Sequence, residues 1–343
     1  MLEPTPAAPV RSVDALPGAR LASLLASAPA QPLVLRGLVA HWPVVQKARQ
    51  ATNSTQAVSD CLLNHYAGAT VDAWRGGPEI GGRFFYNADF SGFNFERQRL
   101  RLDTVLDTLK QHADDPAPPA IYVGSTTVDT CLPGFRARHD LDLAPHDPLM
   151  SLWLGNRSLI AAHQDLPDNL ACVAAGHRRF TLFPPDAVGD LSVGPIDLTP
   201  AGQPISLVDF RQPDLARHPR AAAALARAQV AELGPGDAIF IPSMWWHQIE
   251  ALDNFNLLIN CWWRDAPAWM DSPMNALMHA VLSVRDLPVE QRQAWAALFD
   301  HHVFRAGPDT TAHIPPQARG LLAPLQPDTA RQLRAQLLRK LNR

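Results

Sequence analysis

SLIAAHQDLPD, residues 158–168, is the stretch on which the reading of the whole chain turns. It starts as a short apolar run and stops in a turn at Leu166-Pro167-Asp168. On a strand, residues two apart face the same side. His163 and Asp165 therefore present an imidazole nitrogen and a carboxylate oxygen toward one point. An HxD tripeptide by itself is common, and a surface or structural histidine is the better account of one that stands alone. A second segment, GPGDAIFIPSMWWHQIE (234–250), supplies what is missing. It is a tight turn, an apolar strand ending at Pro242, and then His247 behind Trp245 and Trp246, where a further antiparallel strand begins. Two histidines and one carboxylate form a facial ligand set that leaves three adjacent positions on an octahedral metal. A zinc site with three protein ligands would be tetrahedral with one open position. The donor set leans to iron and leaves zinc, manganese and nickel open.

Working outward, short apolar runs recur between turns from about residue 120: AIYVGS, SLWLG, SLIAAH, LACVAAG, RRFTLFPP, AQVAEL, AIFIP and NLLINCWW. Many short strands without alternating helices predict a sandwich or barrel, not a βαβ sheet. The N-terminal third is mixed. A helix is expected within residues 14–28, and a strand over 32–43 running into a turn at Trp42-Pro43. Further helices are expected over 54–66 and 98–112, with a glycine-broken hairpin or loop over 74–87 between them. After Arg264 the pattern is helical in SPMNALMHAVLSV, VEQRQAWAALF and TARQLRAQLLRKL. The expected organisation is an N-terminal α/β region (1–119) packing on a β core (120–265), followed by a helical region (266–343). Leu277, Met278, Val281, Trp295, Leu298 and Phe299 exceed what capping a barrel requires, which makes the last region the expected dimerisation element.

Composition narrows the alternatives. Among 343 residues, 47% are hydrophobic and 18% charged, ordinary for a soluble globular chain. A net charge of −3 offers no global attraction to nucleic acid or anionic membrane. Cys61, Cys131, Cys172 and Cys261 are scattered without a CxxC pair, against a disulfide framework or a thiolate zinc site. The N-terminus lacks the apolar run of a signal peptide, and no stretch is long enough to span a bilayer, so a cytoplasmic protein is expected. Phosphate-binding, dinucleotide and nucleophile-elbow motifs are absent. His41, His65, His139, His146, His177, His218, His279, His301, His302 and His313 lack ligand partners at recognisable spacing and read as surface, capping or core-edge residues.

HQDLPDNLACVAAGHRRFTLFPPD (163–186), PGDAIFIPSMWWHQIE (235–250) and NLLINCWW (256–263) together resemble the JmjC/cupin-like iron(II)- and 2-oxoglutarate-dependent oxygenases. The branch containing the asparaginyl hydroxylase of hypoxia-inducible factor is the nearest in appearance, and PLVLRGLVAHWP (32–43) is similar to an N-terminal segment of these proteins. The resemblance implies a double-stranded β-helix core within a mainly β protein that also carries helices. It implies Fe(II) on His163, Asp165 and His247, with 2-oxoglutarate as co-substrate. It places Tyr122, Asn169, Arg178 and Asn260 around the co-substrate, with Arg178 where the family has a lysine. Arg179, next to it on the strand, should point away. A threonine of the family corresponds to Ile160, and Ser158 on the same face is its only evident substitute. The implied reaction is hydroxylation of a protein side chain or small molecule. Missing zinc-finger and basic-tail patterns argue against histone demethylation. The alternative is a metal-binding cupin-type regulator, or a cupin enzyme that does not use 2-oxoglutarate.

Overall fold

The computed structural model describes residues 7–14, 21–26 and 30–342. Fifteen strands are assigned among them: β1 (Ala8–Pro9), β2 (Ser12–Asp14), β3 (Leu33–Arg36), β4 (Thr70–Gly76), β5 (Arg83–Phe84), β6 (Glu96–Arg101), β7 (Ala120–Thr127), β8 (Leu149–Gly155), β9 (Ser158–Gln164), β10 (Asp168–Ala175), β11 (Arg178–Phe183), β12 (Gln229–Leu233), β13 (Ala238–Ile241), β14 (Trp246–Ala251) and β15 (Asn256–Trp263). They form a six-stranded sheet, β1-β12-β11-β14-β9-β5, and a nine-stranded sheet, β2-β3-β13-β10-β15-β8-β7-β4-β6. From β8 to β15 the chain passes back and forth between the sheets, four strands to each, with only β11 and β12 consecutive in the smaller one, and this is the double-stranded β-helix. Gly176 makes one of the crossings, between β10 and β11. Its φ is +70°, and a Cβ there would lie 2.6 Å from the Phe255 carbonyl oxygen, so only glycine fits.

Three apolar layers follow from strand alternation. Val34, Ala171, Val173, Ile239 and Leu258 of the larger sheet pack with Phe180, Leu182, Ala231 and Leu233 of the smaller one, closing the barrel interior. The outer face of the larger sheet is covered by α2 (Pro43–Gln50), α3 (Ser54–Leu63) and α4 (Leu102–Gln111), through Val44, Val45, Val58, Leu62, Val105 and Leu106. The outer face of the smaller sheet buries Phe183 and Trp246 under Leu191, Val208 and Phe210. The N-terminal strands are part of this body. Leu33, Val34 and Leu35 of β3 pair with Phe240, Ile239 and Ala238 of β13. Asp237 then accepts hydrogen bonds from Arg36 Nη1 at 2.7 Å and from the Gly37 N–H at 3.0 Å.

The eight runs read as strands after residue 120 are strands, and the helices expected over 54–66 and in the C-terminal region form. Of the helix expected within 14–28, Leu21–Ala26 is helical, and residues 15–20 and 27–29 lie outside the described residues. Trp42-Pro43 does not end a strand segment in a simple turn. Pro43 opens α2, a position where the missing proline N–H costs nothing. Residues 98–101 belong to β6, and the helix begins only at Leu102. Leu100 and Leu102 fit both periodicities, which is why the pattern extends the helix too far. The 74–87 segment is not a hairpin. β4 lies in the larger sheet, while β5 pairs in parallel with β9 of the smaller one. Gly82, at φ +75°, carries the chain between them within 2.6 Å (measured from a Cβ placed there) of the Arg157 carbonyl. His139 takes a capping role from inside the core. Its Nε2 accepts from the Val44 N–H in the first turn of α2, and its Nδ1 donates to the Phe135 carbonyl.

Contacts divide the chain into two compact units, residues 1–264 and 265–343. The second holds α7 (Pro273–Ser283), α8 (Val289–Phe299) with a π-helical turn over Asp300–Phe304, and α9 (Pro327–Leu341). No residue of α7 or α8 is buried. Leu282 is 75% exposed and Phe304 76%. No helix among the described residues is long and apolar enough to cross a membrane.

Candidate metal centre

β9 and β14 are antiparallel neighbours, and their register sets His163 directly opposite His247. Both side chains face the barrel interior, because Ala162 and Trp246, one position away, face outward. The ring centroids are 4.4 Å apart. Asp165 follows β9 in a turn bound to the turn before β14. Its carbonyl accepts from the Met244 N–H at 2.9 Å, and Ser243 donates its N–H to Asp168 and its hydroxyl to Leu166. One ligand atom each from His163, Asp165 and His247 lies within 4.8 Å of the others, and this is the one such group of three among the described residues.

Protonation is set by backbone partners. His163 Nδ1 lies 2.9 Å from the Ala161 carbonyl and His247 Nδ1 lies 2.9 Å from the Trp245 carbonyl. A carbonyl only accepts, so both Nδ1 atoms carry a hydrogen and both Nε2 atoms face inward. Burial holds the His163 pKa down to about 4, with His247 adding to the effect. Burial alone would raise the Asp165 carboxyl. The hydrogen bond and charge of His247, together with His163 and Gln203, outweigh it and keep the group below the usual carboxylate range. Two inward-facing ring nitrogens and an ionised carboxylate are the donors a divalent cation needs.

The triad stands between two connected chambers. The outer one has a volume of about 320 Å³ and is walled by Trp74, Phe84, Tyr122, Trp153 and Trp262, with Asp72 and Arg97 also in its lining. The inner one is tight, about 30 Å³, and is lined by all seven residues singled out from the sequence: Tyr122, His163, Asp165, Asn169, Arg178, His247 and Asn260. Arg178 is 4% exposed, and its Nε has no hydrogen-bond partner. Burial lowers its pKa to about 10, which still leaves it charged at neutral pH. Arg179 faces out and donates from Nε to Glu232 at 2.8 Å. Asn260 donates to Asn169 Oδ1 at 3.2 Å. Burial pushes the Tyr122 phenol far up, so it stays a neutral donor. Ile160 lines both chambers and Ser158 lines neither, so the serine supplies no hydroxyl in the threonine's place.

Two participants were not evident from the sequence. Trp153 donates its indole N–H to Asn260 Oδ1 at 2.7 Å and so fixes which way that amide points. Alternation in SLWLG could have found it, since Leu152 and Leu154 pack into the outer core and leave Trp153 on the inner face. Gln203 donates to Asp165 Oδ1 at 3.0 Å from a loop that carries no motif. Trp262 lines both chambers, and its indole N–H has no hydrogen-bond partner.

A triad on facing strands of a double-stranded β-helix defines a cupin-like protein. The cupin-like domain family matches residues 25–268, and the chain belongs to it. Among individual relatives, it is 26% identical over 272 residues to the human bifunctional peptidase and (3S)-lysyl hydroxylase JMJD7, covering 68% of this chain and 78% of that protein. It is 26% identical over 246 residues to lysine-specific demethylase 8 of Xenopus tropicalis, covering 68% of this chain and 48% of the relative. It is 32% identical over 129 residues to lysine-specific demethylase JMJ31 of Arabidopsis thaliana, covering 36% of this chain and 23% of the relative. The chain thus spans from about a quarter to about three quarters of the length of these relatives.

Proposed function

We propose that the protein is an Fe(II)- and 2-oxoglutarate-dependent oxygenase that hydroxylates an amino-acid side chain of a protein substrate. The observation that carries the reading is Arg178, 4% exposed beside the triad, with a buried Nε that has no hydrogen-bond partner. A buried cation without a partner is costly, and a dicarboxylate reaching from the metal would satisfy it. His163, Asp165 and His247 would hold the iron. Bound there with a 2-oxo acid, iron(II) supplies the activation of dioxygen that C–H hydroxylation needs. This chain's residues do the rest. Arg178 and Tyr122 would meet the far carboxylate of the co-substrate, and Asn260, held by Trp153 and Asn169, would offer its amide in the same chamber. The indole and phenyl walls of the outer chamber exclude water and orient the substrate. The names of the relatives support a lysine-directed, protein-borne substrate. Hydroxylating an N-methyl carbon gives an unstable hemiaminal, so hydroxylase and demethylase activities share this step.

Two further elements belong to the same reading. The helical region 266–343 is the dimerisation element of a homodimer, supported by its exposed apolar side chains. The regions 1–119 and 120–265 act together as the catalytic body. The second reading is a metal-binding cupin that does not turn over 2-oxoglutarate, and the 30 Å³ inner chamber with Ile160 in its wall favours it. Succinate formation decides between them. Iron-loaded protein should convert 2-oxoglutarate to succinate slowly without substrate and faster with it. Retained metal with no succinate under any substrate would select the second reading.

A further inference from the structure

The geometry points to Gln203 as a positioning residue that fixes how the Asp165 carboxylate meets the metal. The inference rests on the metal reading of the triad. Asp165 is 5% exposed and has two oxygens with different surroundings. Oδ2 lies 3.4 Å from His247 Nε2, on the side to which the imidazole Nε2 atoms turn. Oδ1 turns away and accepts from Gln203 Nε2 at 3.0 Å. A carboxylate can only accept, so the amide must show it the NH2 group. A carboxylate free to rotate could place both oxygens on one cation and occupy a fourth coordination position. With Oδ1 engaged, Oδ2 alone is offered, and three positions stay open.

The loop that carries Gln203 is fixed close to this contact. Ile205 forms a bridge with His163, and the Ser206 N–H donates to the Ala162 carbonyl at 2.7 Å. On its other side the loop is tied by the Tyr86 hydroxyl, which donates to the Leu198 carbonyl at 2.7 Å. Pro200, Ala201, Gln203 and Ile205 are also wall residues of the outer chamber. A single loop therefore shapes the substrate space and restrains one metal ligand, and Gln203 is where the two functions meet.

Cobalt(II) tests this without turnover, because its visible bands report both affinity and coordination number. Wild type should bind one cobalt, and His163→Ala should not. Gln203→Met keeps the length and removes the donor. It should weaken cobalt binding roughly ten- to a hundred-fold and change the band intensities, while the melting temperature of the metal-free protein holds. Gln203→Ala is read the same way if the methionine variant does not fold. Thr199→Val removes the hydroxyl that accepts from the Gly202 N–H, loosening the loop without touching Asp165, and should keep wild-type affinity and spectrum. Wild-type affinity and bands in Gln203→Met overturn the proposal alone, as does an equal loss in Thr199→Val. Failure of wild type to bind cobalt overturns the metal centre and the proposal together.

Discussion

In the barrel, the groups left without partners are polar; in the helices after residue 264, they are apolar. Arg178 Nε and Trp262 Nε1 are buried beside the triad with nothing to bond to. Leu282, Val303, Phe304 and Leu338 stand at 57% exposure or more, where burial would favour them. The chemistry of the two deficits differs. An enclosed unpaired donor costs about 1–3 kcal/mol, so it implies a specific acceptor of fixed position. Exposed apolar area is worth about 25 cal/mol per Å² on burial and is satisfied by any surface of matching shape. The barrel's requirement is therefore directional and small, and that of the helices is broad and non-directional.

The comparison can be broken most completely at the ligands. His163→Ala or Asp165→Ala should abolish tight iron binding, measured on anaerobically loaded protein, while full retention by the double variant would end the assignment. The next effect is on the co-substrate. Hydrogen bonds to charged groups are worth about 1.5–3 kcal/mol, so Arg178→Ala should weaken 2-oxoglutarate roughly ten- to a hundred-fold and spare iron. Arg178→Lys should recover part of this, and Arg179→Ala should leave the affinity unchanged. In the helical unit, Leu282→Ser with Phe304→Ser should turn a dimer into a monomer by light scattering without lowering the melting temperature of the monomer. A monomeric wild type would remove the contrast. Trp153→Phe keeps the wall and loses one neutral hydrogen bond, which predicts a loss of about three- to ten-fold in 2-oxoglutarate affinity.

Acid reaches a third place. His139 uses both ring nitrogens inside the core, and burial holds its pKa down to about 4, against 6.5 for the free group. The unfolded chain therefore takes up the proton first as pH falls. Stability is complete above about pH 6.5 and declines toward pH 4. The slope is at most about 1.4 kcal/mol per pH unit from this group. Urea midpoints at pH 7 and pH 5 would measure it. His163 has the same sign in metal-free protein, so His139→Gln should flatten the dependence only in part.

The features visible in the sequence were those written in short-range pattern. HxD on an apolar run, the tryptophan pair before His247 and the Arg178/Arg179 alternation each depend on strand geometry that two or three residues encode. What stayed hidden depends on which strands become neighbours. Gly76 to Gly82 looks like a turn within one sheet and instead joins two sheets. Gln203 is 38 positions from Asp165 in a loop with no periodicity, and only the closed barrel brings them together. The way the Asn260 amide points depends on Trp153, more than a hundred residues earlier.

The pairing of β3 with β13 has a consequence in time. Residues 33–35 cannot find their partners until residues 238–240 exist, and Arg36 waits for Asp237 likewise. At a synthesis rate of about 5–20 residues per second, the interval is roughly 10–40 s, during which an early apolar strand has no sheet to join. Contacts this distant in sequence also slow folding in free solution, because the loop must close before the strand is rewarded. This segment, made some two hundred residues before its partners, is thus among the last to be held. An N-terminal truncation that removes β3 should expose the β13 edge and lower soluble yield well before it touches the metal centre.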